Sequence, residues 1–186
     1  MSKPIILASQ SPRRRELLAQ IGVDFTVVTA DIDETPLPGE DHRTYTLRLA
    51  EAKARAVLVK HPESIIIGAD TTVEVDGDLL GKPVDATDAA RMLRLLSNRA
   101  HQVTTGIAVL TGEETHVAAE TTNVFFTAMT DAEIAGYVAT GEPMDKAGAY
   151  GIQGIAAQWI PHIEGDYNNV VGLPLAKLAS LLKLVR

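Results

Sequence analysis

A polar turn followed by a run of arginines is the first place in this chain where the residue types indicate chemistry. Ser9 and Ser11 follow the apolar residues 5–8, and Arg13 and Arg14 begin three consecutive arginines. A buried strand, a turn and a helix are predicted in that order. Arginines at a helix start oppose the helix dipole and cost a few tenths of a kcal/mol each. A bound phosphate would relieve that cost, because free N–H groups and arginine forks both suit it. A solvated basic turn is an equally open interpretation.

Asp70 is the second candidate, placed directly after the apolar residues 65–67 and Gly68-Ala69. This pattern predicts a buried strand with an acid at its carboxyl end, where ligands of α/β sheets collect. Such an acid is well held for metal binding or for work as a base. The alternative is an aspartate that caps a turn at the end of the strand.

A cluster of carboxylates lies in the predicted loop of residues 31–41, with Asp31, Asp33 and Glu34 at its start. Magnesium takes one or two protein carboxylates together with substrate phosphates, so Glu34 could contribute one ligand. A solvated acidic loop is the commoner outcome for such a run. The five histidines show no metal-ligand spacing and there is no cysteine, so a zinc site is not expected.

Two lysines and a glycine-rich segment complete the candidates. Lys53 lies about 90° from the apolar stripe of its predicted helix. From there its side chain can reach into a cleft, or it can lie along the apolar surface with its charge in water. Lys82 sits in Gly81-Lys82-Pro83, which fails the P-loop pattern because proline replaces the required Ser or Thr. The glycines of residues 145–154 predict a loop whose backbone approaches something closely, or a purely structural connection.

The elements that must position these residues form a mixed α/β pattern of about seven strands and five helices. Helices are predicted over residues 13–21 and 44–60, and strand-like segments over residues 101–110 and 115–127. Those two adjacent strand segments, joined by a short turn, indicate an antiparallel section in a mixed sheet with flanking helices. No linker divides the 186 residues, so one domain spanning 1–186 is expected.

Composition excludes several classes of protein. The net charge is −7 and aromatic residues make up only 4%, which argues against binding to nucleic acid. The absence of cysteine excludes a disulfide scaffold and a cysteine nucleophile. No apolar run is long enough for a membrane helix, and the first one is too short for a signal peptide, so no membrane partner and a cytoplasmic location are expected.

Taken together, the motifs resemble the Maf family of nucleoside triphosphate pyrophosphatases along almost the full chain. Six motifs in the right order are far more specific than any one of them, and no motif position departs from the family pattern. They are Leu7-Ala8-Ser9 with Ser11-Pro12-Arg13-Arg14, Ala52-Lys53-Ala54, Gly68-Ala69-Asp70-Thr71, Gly81-Lys82-Pro83, Asp145-Lys146-Ala147-Gly148-Ala149-Tyr150 with Ile152-Gln153-Gly154, and Asn169-Val170-Val171-Gly172-Leu173-Pro174.

The resemblance implies a fold shared with the inosine triphosphate pyrophosphatases, with a central cleft. It implies a house-cleaning enzyme that needs Mg²⁺ or Mn²⁺ and cleaves between the α- and β-phosphates of a nucleotide. On this resemblance Asp70 is expected to accept the proton, and Asp70 and Glu34 are expected to bind the metal. The expected phosphate-binding residues are Ser9, Ser11, Arg13, Arg14, Lys53 and Lys82.

The resemblance also implies a choice of base. Ala69-Asp70-Thr71 is similar to the subgroup that acts on dTTP and UTP, whereas the 7-methyl-GTP subgroup has a Ser-Asp-Gln pattern there. Arg13, Thr71 and Gln153 are the positions expected to decide substrate specificity. Three alternatives stay open: a 7-methyl-GTP pyrophosphatase, a nucleotide-binding regulator of septum formation, and modified pyrimidine nucleotides as substrates. Whether the chain forms a homodimer is also open.

Overall fold

The computed structural model describes residues 3–185 and shows a mixed α/β architecture, which confirms the predicted class. The strands are β1 (Ile5–Ala8), β2 (Thr26–Val27), β3 (Ile65–Val75), β4 (Asp78–Leu80), β5 (Ala100–Leu110), β6 (Thr115–Phe125) and β7 (His162–Glu164). The α-helices are α1 (Pro12–Gln20), α2 (His42–Leu58), α3 (Ala86–Leu96), α4 (Asp131–Ala139), α5 (Tyr167–Val171) and α6 (Leu175–Leu182). Three 3₁₀-helices cover Glu142–Asp145, Ala147–Ala149 and Ile155–Trp159.

The described strands form one mixed sheet with the order β2-β1-β3-β5-β6-β7, and β4 pairs with β3 beside that path. β1 runs parallel to β2 and to β3, in a register that aligns Ile5 with Ile65 and Ala8 with Gly68. The pairs β3–β4 and β6–β7 are antiparallel. The sheet is therefore mixed, as predicted, and β5 and β6, the two segments from which an antiparallel section was predicted, are neighbours in it.

Helix boundaries follow local capping chemistry. α2 begins two residues earlier than predicted because Asp41 caps it, accepting hydrogen bonds from the backbone N–H groups of Arg43 and Thr44. α4 opens with the predicted capping box between Thr130 and Glu133. The glycine-rich residues 142–172, expected to be irregular, contain three 3₁₀-helices and the short helix α5.

The contacts divide the chain into two compact units. The first contains the described residues up to Thr71, Thr105–Glu120, and the residues from Gly172 onward. The second contains Thr72–Thr104 and Thr121–Val171. β3, β5 and β6 each contribute residues to both units, and the single-domain prediction stays a prediction.

The core of the first unit packs helix α2 directly on the sheet. Ala50 and Ala54 of α2 are fully buried against the apolar side chains of β1 and β3. At Gly68 of β3 a Cβ atom would collide with the Ala50 carbonyl and would lie 2.9 Å from Ala54 Cβ. Small residues on both sides therefore let the helix and the strand approach closely, which determines where Lys53 of α2 is placed.

The core of the second unit is built around α3, α4 and a group of aromatic rings. Leu93 and Leu96 of α3 and Ile134 of α4 are essentially inaccessible to solvent. The His101 ring makes edge contacts with Phe126 and Tyr150, at centroid distances of 5.2 and 5.3 Å. This packing supports the glycine-rich segment that was singled out in the sequence.

Candidate active site

Asp70 lies in the first unit, in the interior of strand β3 and not at its end as the sequence suggested. The strand continues to Val75 because its second half pairs with β4. The parallel partner β1, however, stops at Ala8, which is aligned with Gly68. Asp70 therefore stands two residues beyond the end of the neighbouring strand. Asp70 is only 8% exposed, so its carboxylate is held rigidly at the point in the sheet where β1 ends and a loop follows.

Lys53 joins the two carboxylates that the sequence analysis selected. Its Nζ lies 2.6 Å from Asp70 Oδ1 and 2.8 Å from Glu34 Oε1. The side chains of Lys53 and Asp70 are 14% and 11% exposed, whereas that of Glu34 is 54% exposed. The arrangement is a half-buried cation between one buried and one exposed acid. An ammonium group has three donors, so Lys53 can serve both carboxylates and one further acceptor.

The acidic loop that carries Glu34 is anchored to helix α2 by two residues that sequence reasoning missed. Tyr45 donates a hydrogen bond of 2.9 Å from its hydroxyl to the Glu34 carbonyl. Arg48 donates to the Thr35 carbonyl at 3.1 Å and pairs with Glu40 through two hydrogen bonds of 2.6 and 2.7 Å. The sequence signal for this anchor was a tyrosine and an arginine that lie three residues apart on the helix after the loop.

Tyr45 is half-buried near the two carboxylates of the site. Burial raises the pKa of Tyr45 to about 12, and the nearby carboxylates of Asp70 and Glu34 add to the increase. Tyr45 is therefore a protonated donor throughout the physiological range.

Arg14 occupies the centre of the site, and its guanidinium is directed at protein atoms. It donates to the Ala69 carbonyl at 2.9 Å and to Thr71 Oγ1 at 2.9 Å, the residues on either side of Asp70. It also donates to the Gly172 carbonyl at 2.8 Å and to Ser9 Oγ at 3.2 Å. Burial lowers the pKa of Arg14, and the negative charge of Asp70 partly opposes that shift. These contacts favour positioning of the Asp70 segment over direct phosphate binding by Arg14.

The two serines of the first motif serve the start of helix α1. Ser9 is buried, and its Oγ accepts hydrogen bonds from the Ser11 backbone N–H and from Arg14. Ser11 is the N-cap residue, and its hydroxyl accepts from the Arg14 backbone N–H at 3.5 Å. Arg13 is the second residue of the helix and is half-buried. The predicted strand, turn and helix are all present.

Thr71 is half-buried, and its hydroxyl has a second partner besides Arg14. The Thr71 and Thr105 hydroxyl oxygens lie 2.8 Å apart. A Cβ added at Gly172 would lie 3.5 Å from Thr71 Oγ1 and 3.6 Å from Arg14 Nε. The first unit thus brings together Ser9, Arg14, Glu34, Lys53, Asp70 and Thr71. Thr105 and Gly172 were not assigned to a site by the sequence.

Lys82 and Gln153 belong to the second unit. Lys82 is exposed in the segment after β4, where the neighbouring Gly81 carbonyl accepts a hydrogen bond of 3.1 Å from the Gly148 N–H. Gln153 is exposed in the turn before the 3₁₀-helix Ile155–Trp159. Both side chains are presented to solvent on segments that backbone contacts hold in place.

The donor set fits a divalent cation held mainly by its substrate. Among residues 3–185 there is no group of three or more His, Asp or Glu side chains that could hold a metal ion by themselves. The pair Asp70 and Glu34 provides two carboxylates, the number that Mg²⁺ usually takes from protein when phosphates supply further ligands. Within the same described part of the chain, no helix is long and apolar enough to cross a membrane.

The chain is similar over nearly its full length to known proteins. A family model described as "Maf-like protein" matches residues 4–185. A protein of Koribacter versatilis named "dTTP/UTP pyrophosphatase" is 51% identical over 179 residues, which is 96% of this chain and 93% of that one. A protein of the same name from Symbiobacterium thermophilum is 53% identical over 178 residues, covering 96% and 92%.

The chain is more distantly similar to a solved structure. The Staphylococcus aureus Ham1 protein is 20% identical, with a TM-score of 0.46 over 67% of this chain and 72% of that chain.

Proposed function

The chain belongs to the Maf family, and on that premise we propose that it hydrolyses dTTP and UTP to the nucleoside monophosphate and pyrophosphate. Relatives that share about half of its sequence over nearly its full length are named for that activity. The observation in the structure that carries the proposal is the Asp70 carboxylate, buried in β3 and joined through Lys53 to Glu34. A buried acid beside a second carboxylate and a lysine suits proton transfer next to a charged phosphate.

Asp70 acts as the proton acceptor for the attacking water. The water oxygen bonds to the α-phosphorus as its proton passes to a carboxylate oxygen of Asp70, and the bond from the α-phosphorus to the bridging oxygen breaks. Pyrophosphate leaves with that oxygen and the electron pair of the bond. Proton acceptance by a positioned side chain contributes about 10²–10⁴-fold in rate. Arg14 supports this role because it binds the residues on both sides of Asp70.

Asp70 and Glu34 are the residues that would hold a divalent cation, Mg²⁺ or Mn²⁺, together with the substrate phosphates. When bound, such a cation neutralises phosphate charge and lowers the pKa of a coordinated water. Tyr45 and Arg48 keep the Glu34 loop against helix α2, so this carboxylate does not have to be ordered when the substrate arrives.

The triphosphate is bound by positive charge and by the start of helix α1. Arg13 and Lys53 supply cations in the first unit, and Lys82, an exposed residue of the second unit, is proposed as a phosphate ligand on its motif alone. Ser9 and Ser11 shape the turn before helix α1, and the positive end of a helix dipole favours an anion at such a position. Arg14 contributes charge nearby, while its hydrogen-bonding capacity is directed at four protein acceptors.

The residues proposed to select the base are Arg13, Thr71 and Gln153. Uracil and thymine share an acceptor–donor–acceptor edge, which a glutamine amide and a threonine hydroxyl can match. Cytosine inverts part of that edge and leaves polar groups unpaired, at a cost of about 1–3 kcal/mol each. In the first unit the Thr71 hydroxyl is held by Arg14, and in the second unit the Gln153 side chain is exposed.

The test is a direct measurement of kcat/KM for dTTP, UTP, CTP, GTP and 7-methyl-GTP, with pyrophosphate release followed in the presence of Mg²⁺. We expect dTTP and UTP to be the best substrates and pyrophosphate, not orthophosphate, to be the product. A guanine nucleotide as the best substrate contradicts the assigned base choice. Tight nucleotide binding without pyrophosphate release contradicts the enzymatic proposal and favours a regulator.

A further inference from the structure

We propose that Glu142 is a positioning residue for base selection, because it holds the chain segment of residues 151–155 that presents Gln153. The inference rests on the proposed function, in which Gln153 reads the pyrimidine. Glu142, Tyr137 and Gln153 all belong to the second unit.

The Glu142 carboxylate binds the far end of this segment. Its Oε1 and Oε2 accept hydrogen bonds from the Ile155 backbone N–H at 3.1 and 3.2 Å. Glu142 is the first residue of the 3₁₀-helix Glu142–Asp145, so the carboxylate projects from an element outside the segment. The segment is therefore tied to a neighbouring part of the fold at the residue two positions after Gln153.

Tyr137 completes the clamp at the near end of the segment. The Tyr137 hydroxyl donates to Glu142 Oε1 at 2.9 Å and accepts from the Gly151 N–H at 3.3 Å. Burial raises the pKa of Tyr137, and its hydrogen bond to Glu142 raises it further, so the phenol remains a donor. One buried tyrosine on α4 and one carboxylate thus engage both Gly151 and Ile155.

Two glycines, Gly151 and Gly154, leave room for this contact on either side of Gln153. A Cβ atom at Gly154 would collide with Glu142 Oε1. A Cβ atom at Gly151 would lie 2.7 Å from Lys146 Cε, and the Lys146 ammonium donates at 2.6 Å to the Glu142 carbonyl. A side chain at either glycine would displace Glu142 or Lys146 from these positions, and Lys146 in turn holds the backbone of Glu142.

The clamp engages the backbone of the segment and leaves the Gln153 side chain exposed. An additional backbone hydrogen bond, from the Gly154 N–H to the Gly151 carbonyl at 3.0 Å, closes a tight turn around that side chain. A side chain presented from a fixed turn loses less entropy on binding than one on a free loop, so its discrimination between ligands is sharper. Glu142 therefore acts on base selection through Gln153 and not by contact with the nucleotide.

The experiment compares kcat/KM for UTP and CTP in Glu142→Ala, Glu142→Gln, Tyr137→Phe, Gln153→Ala and the double variant Glu142→Ala/Gln153→Ala. We expect Glu142→Ala to reduce the UTP/CTP ratio by about three- to tenfold, the range that one hydrogen bond explains. Glu142→Gln retains one acceptor oxygen and should keep the ratio within about twofold of wild type. The double variant should show no further loss beyond Gln153→Ala.

The matched control is Glu164→Ala, which removes an exposed carboxylate from the same unit and should leave the ratio unchanged. Hydrogen exchange at the Ile155 amide gives a readout independent of activity, and we expect it to become faster in Glu142→Ala. If Glu142→Ala does not fold, Tyr137→Phe carries the test, because it removes the hydroxyl that Glu142 and Gly151 share.

The outcomes separate the inference from the proposed function. If Gln153→Ala reduces the UTP/CTP ratio of kcat/KM and the Glu142 and Tyr137 variants do not, the positioning role of Glu142 is overturned and the proposed function stands. If Gln153→Ala leaves the ratio unchanged, the base-reading role assigned to Gln153 is overturned, and the inference is overturned with it.

Discussion

Lys53 Nζ lies 2.6 Å from Asp70 Oδ1, and both side chains are largely buried. A lysine that was selected as a phosphate ligand is therefore paired with the acid that was selected as the base. Removing Lys53 would take this partner from the buried Asp70 carboxylate, and breaking a buried pair in this way costs about 3–5 kcal/mol, whereas removing Asp70 leaves Lys53 paired with Glu34. Lys53 therefore holds Asp70 and Glu34 in place, and we propose that it also brings positive charge to the phosphates.

Asp70→Asn should abolish turnover while nucleotide still binds. The asparagine keeps the shape of the side chain and removes the charge that a proton acceptor or metal ligand needs. We expect kcat to fall by about 10²–10⁴-fold at saturating Mg²⁺. Nucleotide affinity, measured by calorimetry, should change much less.

The control for this variant is Asp24→Asn, an exposed aspartate of the same unit, which should keep wild-type kcat. An Asp70→Asn enzyme that retains more than about a tenth of wild-type kcat removes Asp70 from the mechanism, because that loss lies below the range for proton transfer.

Glu34→Gln should raise the Mg²⁺ concentration needed for half-maximal activity. Glu34 is the more exposed of the two carboxylates on Lys53, so its neutral amide can replace it without disturbing the core. We expect an increase on the order of tenfold, with a smaller effect on kcat at saturating metal. Mn²⁺ binding measured by electron paramagnetic resonance, with a non-hydrolysable nucleotide present, should weaken in parallel. Glu63→Gln is the matched control, and equal metal dependence in both variants would exclude Glu34 as a ligand.

Arg14→Lys should reduce both stability and kcat although the positive charge is kept. A lysine cannot reproduce the four hydrogen bonds that the guanidinium makes to Ser9, Ala69, Thr71 and Gly172. We expect the free energy of unfolding to fall on the order of 2–3 kcal/mol. KM for the nucleotide should change less than kcat, because the defect lies in the placement of Asp70.

The neighbouring exposed arginine supplies the comparison for that prediction. Arg15→Lys should be neutral in unfolding experiments and in kinetics. A large rise in KM with unchanged kcat in Arg14→Lys would instead assign Arg14 to direct phosphate binding.

His101 should make the protein less stable in mild acid. Its ring is 3% exposed, and burial lowers its pKa to about 4. The unfolded chain, with a histidine pKa of about 6.5, binds the proton more readily, so stability falls as the pH drops from about 6.5 to about 4. This single group should cost about 2 kcal/mol between pH 7 and pH 5.

Chemical unfolding of the wild type and of His101→Gln at both pH values measures that contribution. Glutamine can keep a hydrogen bond to the Tyr150 hydroxyl, which lies 2.7 Å from His101 Nε2. The variant should lose less stability than the wild type on acidification. An identical pH dependence in the two proteins would show that His101 does not titrate differently in the folded and unfolded states.

The sequence by itself was sufficient for the elements whose cause is local. The apolar residues 5–8 followed by Ser11-Pro12 predict β1 and the start of α1, because a strand needs only its buried side chains and a helix its cap and first turn. The capping box at Thr130 and Glu133 is equally local. The residue types of the site, an acid after a buried strand and basic residues near a helix start, are also visible without any structure.

The tertiary structure decided what those residues touch. The sequence predicts that Arg14 is a phosphate ligand. In the structure its guanidinium donates hydrogen bonds to Ala69, Thr71 and Gly172, which lie 55, 57 and 158 residues away along the chain. No local pattern encodes such contacts, because they depend on which strands become neighbours.

The surroundings of Asp70 depend on tertiary contacts in the same way. Asp70 lies within a strand and not at its end because β4 extends the pairing of β3, and Lys53 reaches it because Gly68 lets helix α2 pack directly on that strand. Side-chain identity is a property of the sequence, whereas the partner of each charge is decided by packing between distant segments.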